Sequence, residues 1–181
     1  AQALVTTYLD GRILKMRVYE GSYGRTLWQQ DLELHPSVLV KEQLLEASQK
    51  LIKDFIAAIP YQGFVVKDPI QGKVLWGDEG KKFFKVEVGL SAQVEVGDPI
   101  QLVSVYSDRL RPLFTEGGTT EVFAEARVVN KEGGLLLAEL LRVSQLNLIK
   151  AATPVRLPKE FQRLRQEFAI QDQLYKQINP E

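Results

Sequence analysis

Between Tyr61 and Leu157 the chain never runs far without a turn signal. The stretches GFVVKD, KVLWGD, KKFFKVEVG, AQVEVGDPIQLVSVY, TEVFAEARVVN, GLLLAELLRV and NLIKAATPVRLP are separated by Gly72, Asp78 to Gly80, Val96-Gly97-Asp98 and Lys131 to Gly134. Short β-forming runs at that spacing fold back on one another, and six or seven of them in about a hundred residues make a compact all-β barrel or sandwich. GLLLAELLRV is the ambiguous run, because Leu, Ala and Glu favour helix; its Gly133-Gly134 entry, its length and its β neighbours decide for a strand. Gly97 and Asp98 form a tight structural turn, with positive φ expected at Gly97.

Before Tyr61 the pattern is different. LVTTYL is rich in β-formers, Asp10-Gly11 is a hairpin-turn pair, and ILKMRVYE alternates Leu14, Met16 and Val18 with Lys15, Arg17 and Tyr19. After the turn at Gly21 to Gly24, TLWQQDLEL gives a third strand with Trp28, Gln30, Leu32 and Leu34 on one face. His35-Pro36-Ser37 stops it, with Ser37 as a helix N-cap. From Val38 to Ile59 the apolar residues Leu44, Leu45, Leu51, Ile52, Phe55, Ile56 and Ile59 recur at helical spacing, and Pro60 ends the helix. Leu51 and Phe55 are expected to bury against the meander. The reading is α+β: a partial α/β domain over 1–60, a β barrel over 61–158, and a C-terminal amphipathic helix over 159–181. In that last segment Phe161, Leu164, Phe168, Tyr175 and Ile178 share a stripe that packs back on its own chain or docks on a neighbouring subunit.

Charge narrows the partners. Lys plus Arg and Asp plus Glu both number 23, and they balance separately within 1–60, 61–158 and 159–181. No segment offers the positive field that phosphate neutralisation needs, so nucleic acid is a poor partner. No apolar run approaches the length of a membrane span. With no Cys there is no disulfide, thiolate or thiolate-bound zinc.

Catalytic and cofactor readings have no residues to stand on. The single His, His35, sits at a strand-helix junction without nucleophile or ligand spacing. Gly117-Gly118 and Gly133-Gly134 lack the Lys-Ser/Thr of a phosphate loop. Asp78-Glu79 reads as a solvated turn. We therefore expect no enzyme, cofactor or metal site. Association is expected to run through the uncharged strand 4–9 with Leu4 and Tyr8 and through Phe161, Leu164 and Phe168; Trp28 reads as a partly buried core or hinge residue or else as an exposed interface anchor.

GRTLW, at Gly24 to Trp28, followed by the helix from Leu44 to Ile59, resembles the later half of the TolB-N and CsgG type of α/β domain of bacterial envelope proteins. Gly63 to Val66, Lys73 to Trp76, and Gly89 with Val94, Val96, Gly97 and Asp98 are similar to the SH3-like β module of the flagellar assembly protein family of FlgT. Glu125 to Val129, Leu135 to Leu141 and Pro154 to Leu157 continue that pattern. The later echo GKVLW is then a different strand in a different fold. The resemblance implies a non-catalytic assembly protein, periplasmic or outer-membrane-associated, acting on protein partners or by self-association. It also implies residues upstream of Ala1 or completion by another chain. Ala1-Gln2-Ala3 fits the mature end of a secreted protein and equally an artificial start. The alternative is an SH3-like barrel in a ribonucleoprotein.

Overall fold

The computed structural model describes residues 3–21, 23–78, 80–107, 110–114 and 119–167. Two compact units result. One comprises Ala1–Ile59, Tyr106–Thr119 and the chain from Leu164 on; the other comprises Pro60–Val105 and Thr120–Arg163.

The first unit is a three-stranded antiparallel sheet in the order β1 (Ala3–Asp10), β2 (Ile13–Glu20), β3 (Thr26–Glu33), with helix α1 (Val40–Ala58) packed on β2 and β3. Alternation works as the sequence implies: Leu14, Met16 and Val18 are buried and face α1, whereas Lys15 and Arg17 lie on the other face. Leu51 and Ala47 of the helix are fully buried. Trp28 and Phe55 meet with ring centroids 5.5 Å apart, Phe55 being half-buried.

Two local expectations for this unit are corrected. Ser37 does not cap the helix; Leu39 takes the N-cap position without a side-chain bond. The buried Gln43 instead fixes the chain that leads into the helix, accepting the His35 N–H at 2.7 Å and donating to the carbonyls of His35 and Val38. The apolar stripe is also wider than what covers it. Leu45, Ile52 and Ile56 are exposed, because a helix resting on two strands buries one sector, centred on Gln43, Ala47 and Leu51, and leaves the adjoining sector in solvent.

The second unit is a closed six-stranded barrel. Its strands are β4 (Gly63–Val66), β6 (Lys82–Val88), β7 (Pro99–Tyr106), β8 (Thr119–Glu132), β9 (Leu135–Val143) and β10 (Pro154–Arg156). The order β4-β10-β7-β8-β9-β6 returns to β4 through the β4–β6 pairing, and β5 (Trp76–Gly77) adds a short stub to β6. GLLLAELLRV is β9, a strand. Val65, Phe84, Val86, Ile100, Leu102, Val128, Leu136 and Val155 fill the interior. Closure depends on Gly63, which pairs with Val88 on one side and Val155 on the other; a Cβ there would lie 2.6 Å from the Glu87 carbonyl oxygen.

Of two further stretches expected as strands, one is a strand only in part and the other not at all. KVLWGD pairs only at Trp76 and Gly77, and AQVEV runs outside the ladder between Gly89 and the turn into β7. That turn has Gly97 at φ +94°, its N–H bonded to the Val128 carbonyl. After β10 the chain turns helical over 158–167, here α2. Among the described residues no helix is long and apolar enough to cross a membrane.

Leu51→Ala removes a fully buried side chain and should cost about 2–5 kcal/mol in chemical unfolding. Gly97→Val should cost about 1–3 kcal/mol, all of it backbone strain, since open space surrounds the missing Cβ; a change within experimental error would contradict the turn.

Candidate interaction surface

Strand β1 is exposed along nearly its whole length. Its register with β2 fixes which side chain lies where. Val5 pairs with Val18, Thr7 with Met16 and Leu9 with Leu14, so Val5, Thr7 and Leu9 lie on the α1 side of the sheet. Leu4, Thr6 and Tyr8 lie on the opposite side, with Tyr8 near the Lys15 ammonium, 5.8 Å from the ring centroid. Because α1 rests on β2 and β3, both faces of β1 stay in water: Leu4 is 57% exposed, Val5 51%, Tyr8 49% and Leu9 42%.

The same register fixes the backbone. Asp10-Gly11-Arg12-Ile13 is a two-residue hairpin with Gly11 at φ +60°, so Asp10 and Ile13 form a hydrogen-bonded pair and such pairs recur at every second residue. Tyr8, Thr6 and Leu4 therefore point their N–H and C=O groups at β2. Leu9, Thr7, Val5 and Ala3 point theirs outward, along an edge without charge or proline until Asp10.

The opposite edge of this sheet, on β3, is different. At the start of β3, Leu113 and Phe114 donate to the carbonyls of Thr26 and Leu27 at 3.1 and 2.7 Å, and Phe114 is buried. Arg25 holds the same segment by donating to the Ser107 hydroxyl at 2.7 Å. Farther along β3 the outward positions are Gln29, Asp31 and Glu33, and acidic side chains discourage strand pairing.

In the second unit the extended segment 92–95 has its backbone met by charged side chains instead of a strand. The Lys131 ammonium donates to the carbonyls of Ala92 and Val94. Glu160 accepts the Gln93 N–H, and Asp98 accepts the Glu95 N–H at 3.0 Å. Lys159 donates to the second oxygen of Asp98, and Arg163 clasps Glu160 at 2.7 and 2.8 Å. These groups line a cleft of about 620 Å³. Arg163 holds the buried Glu160 carboxyl below its usual range against the opposing effect of burial, with the Gln93 N–H helping. Burial pushes Asp98 up, but Lys159 and the Glu95 N–H together bring it below its ordinary value. The cleft's charges hold α2 and segment 92–95 to the barrel.

The remaining buried carboxylates are likewise engaged. Asp68 pairs with Lys85 at 2.7 Å and accepts the N–H groups of Gln71 and Ile70; Glu139 accepts two bonds from Arg127. Among the described residues, no group of three His, Asp or Glu side chains is placed to hold a metal ion.

The expected site residues therefore separate. Leu4 and Tyr8 sit together on the open strand. Trp28 takes the core reading and not the interface one: it is 6% exposed and packs on Phe55. Phe161 is half-buried under the Arg156 guanidinium, 4.8 Å from the ring centroid, and Leu164 is half-buried. Phe168, Tyr175, Ile178, Glu79, Arg109, Gly117 and Gly118 lie outside the described residues. Sequence reasoning missed Lys131, Lys159, Glu160 and Arg163; the available signal was the Lys-Glu-x-x-Arg spacing at the start of α2, where an acidic residue suits the helix N-terminus. No family model and no curated protein matches the chain.

The depressed Glu160 value sets a pH signature. A carboxyl whose folded value lies below its ordinary 4.5 contributes fully above that value and loses its contribution as pH falls through the folded value. Glu160→Gln should lower stability at pH 7 and flatten the acid limb of a urea-midpoint profile taken from pH 7 to pH 3. Parallel profiles for variant and parent would contradict the assignment.

Proposed function

We propose that the protein is a non-catalytic assembly module of the bacterial cell envelope, periplasmic or outer-membrane-associated, which works by binding other protein surfaces. In this reading the helix-on-sheet unit is a TolB-N/CsgG-like domain, the closed barrel is SH3-like, and the pair corresponds to the middle and C-terminal parts of a FlgT-type flagellar or outer-membrane-associated protein. The observation that carries it is β1: an open, uncharged strand edge, where the opposite edge of the same sheet is met by Leu113 and Phe114 at its start and carries Asp31 and Glu33 farther along. The exposed residues Leu45, Ile52 and Ile56 of α1 add apolar area in the same unit. The balanced charge supports protein over nucleic acid as the partner.

Fractionation of the natural protein from its own cells tests this. It should travel with the envelope in a complex larger than itself, and Leu45→Lys with Ile52→Lys should release it without lowering its thermal stability. A cytosolic monomer, or salt-sensitive retention on RNA, would overturn the reading.

A further inference from the structure

We infer that β1 pairs with β1 of a second copy of the chain, antiparallel and centred on Thr6, so that two three-stranded sheets join into one of six strands. The inference rests on the protein-contact reading and names the partner for that edge.

The hydrogen-bond pattern satisfies a two-fold axis. Antiparallel strands related by such an axis perpendicular to the sheet must pair outward-pointing residues with outward-pointing residues, and here these are Ala3, Val5, Thr7 and Leu9 on both copies. Centring on Thr6 sets Val5 opposite Thr7 of the other copy and Ala3 opposite Leu9. On the face away from α1 it sets Leu4 against Tyr8, an aliphatic-aromatic pair, and Thr6 against Thr6. The ladder is then the uncharged run 3–9, and Asp10 stays outside it.

Charge does not oppose the union. Asp10 is bonded to Lys15 at 2.7 Å and Arg17 to Asp31 at 2.6 Å within each copy. The two Arg17 residues would stand three strand spacings apart, about 14 Å, beyond a screening length of about 10 Å at moderate salt. Paired with itself, the edge adds to its backbone bonds the Leu4-Tyr8 and Thr6-Thr6 pairs on the face away from α1.

Sedimentation of the full chain across the micromolar range should show a monomer-dimer equilibrium. Thr7→Pro deletes an outward N–H without touching a β1–β2 bond, and it should raise the dissociation constant at least about tenfold while the circular dichroism is unchanged. Val5→Lys should act the same way. Since the chain has no cysteine, Thr6→Cys should cross-link into a covalent dimer under mild oxidation, the opposed Cα atoms lying about 4.5 Å apart, and faster than Thr7→Cys. A chain monomeric throughout that range, or a dimer indifferent to Thr7→Pro and Val5→Lys, would overturn the proposal. A monomer that still joins the envelope complex would overturn self-pairing alone and leave the protein-contact reading standing.

Discussion

A strand edge is a row of N–H and C=O groups that must be met by something, and the ways this chain meets that requirement organise the rest of its structure. The barrel meets it by closure: β4 pairs with both β6 and β10, which is possible because Gly63 leaves room for the Glu87 carbonyl. Segment 92–95 meets it with side chains, Lys131 on its carbonyls and Glu160 and Asp98 on its amides. The start of β3 meets it with Leu113 and Phe114. Each solution enlists residues remote in sequence, and at segment 92–95 these include Lys159, Glu160 and Arg163 from the start of α2.

The buried carboxylates among the described residues act as fasteners. Asp98 illustrates the point. One oxygen closes the turn at Gly97 by accepting the Glu95 N–H, and the other takes the Lys159 ammonium, so a single carboxylate ties a loop to a helix 61 residues away. A buried carboxylate is costly unless paired and hydrogen-bonded, and Asp68, Asp98, Glu139 and Glu160 each have both kinds of partner or a bidentate cation. The cluster was invisible in sequence because it is assembled from loop, strand and helix; only its Lys159-Glu160-Arg163 fragment is local.

What could be read locally was read well. The Asp10-Gly11 hairpin and the alternation in β2 rest on turn chemistry and periodicity that a few residues carry by themselves, while GLLLAELLRV reads as a strand through its Gly133-Gly134 entry, its length and its β neighbours. Errors arose where a tertiary partner replaced a local one. Ser37 has the chemistry of a cap, yet Gln43, a turn farther on and buried, takes the backbone groups near the helix start. AQVEV alternates like a strand, and Ala92 and Val94 are indeed buried, but charged side chains occupy the groups a neighbouring strand would use. Leu45, Ile52 and Ile56 satisfy helical spacing without being covered, because periodicity reports which side of a helix is apolar and not how wide its support is.

That width matters for β1. A helix about 10 Å across spans roughly two strands at 4.8 Å spacing. With α1 centred over β2 and β3, β1 is the strand left over, and Val5 and Leu9 remain in solvent although the residues opposite them, Val18 and Leu14, are buried. Edge and face are therefore separate demands. A pairing strand supplies hydrogen bonds to Val5, Thr7 and Leu9 but only flanks their side chains; a covering layer would bury the side chains and leave the amides unmet. The closed barrel makes neither demand on its own ladder, since every strand of the ring has a neighbour on each side. Among the described residues the uncharged open edge is therefore that of the first unit, along the seven residues before Asp10.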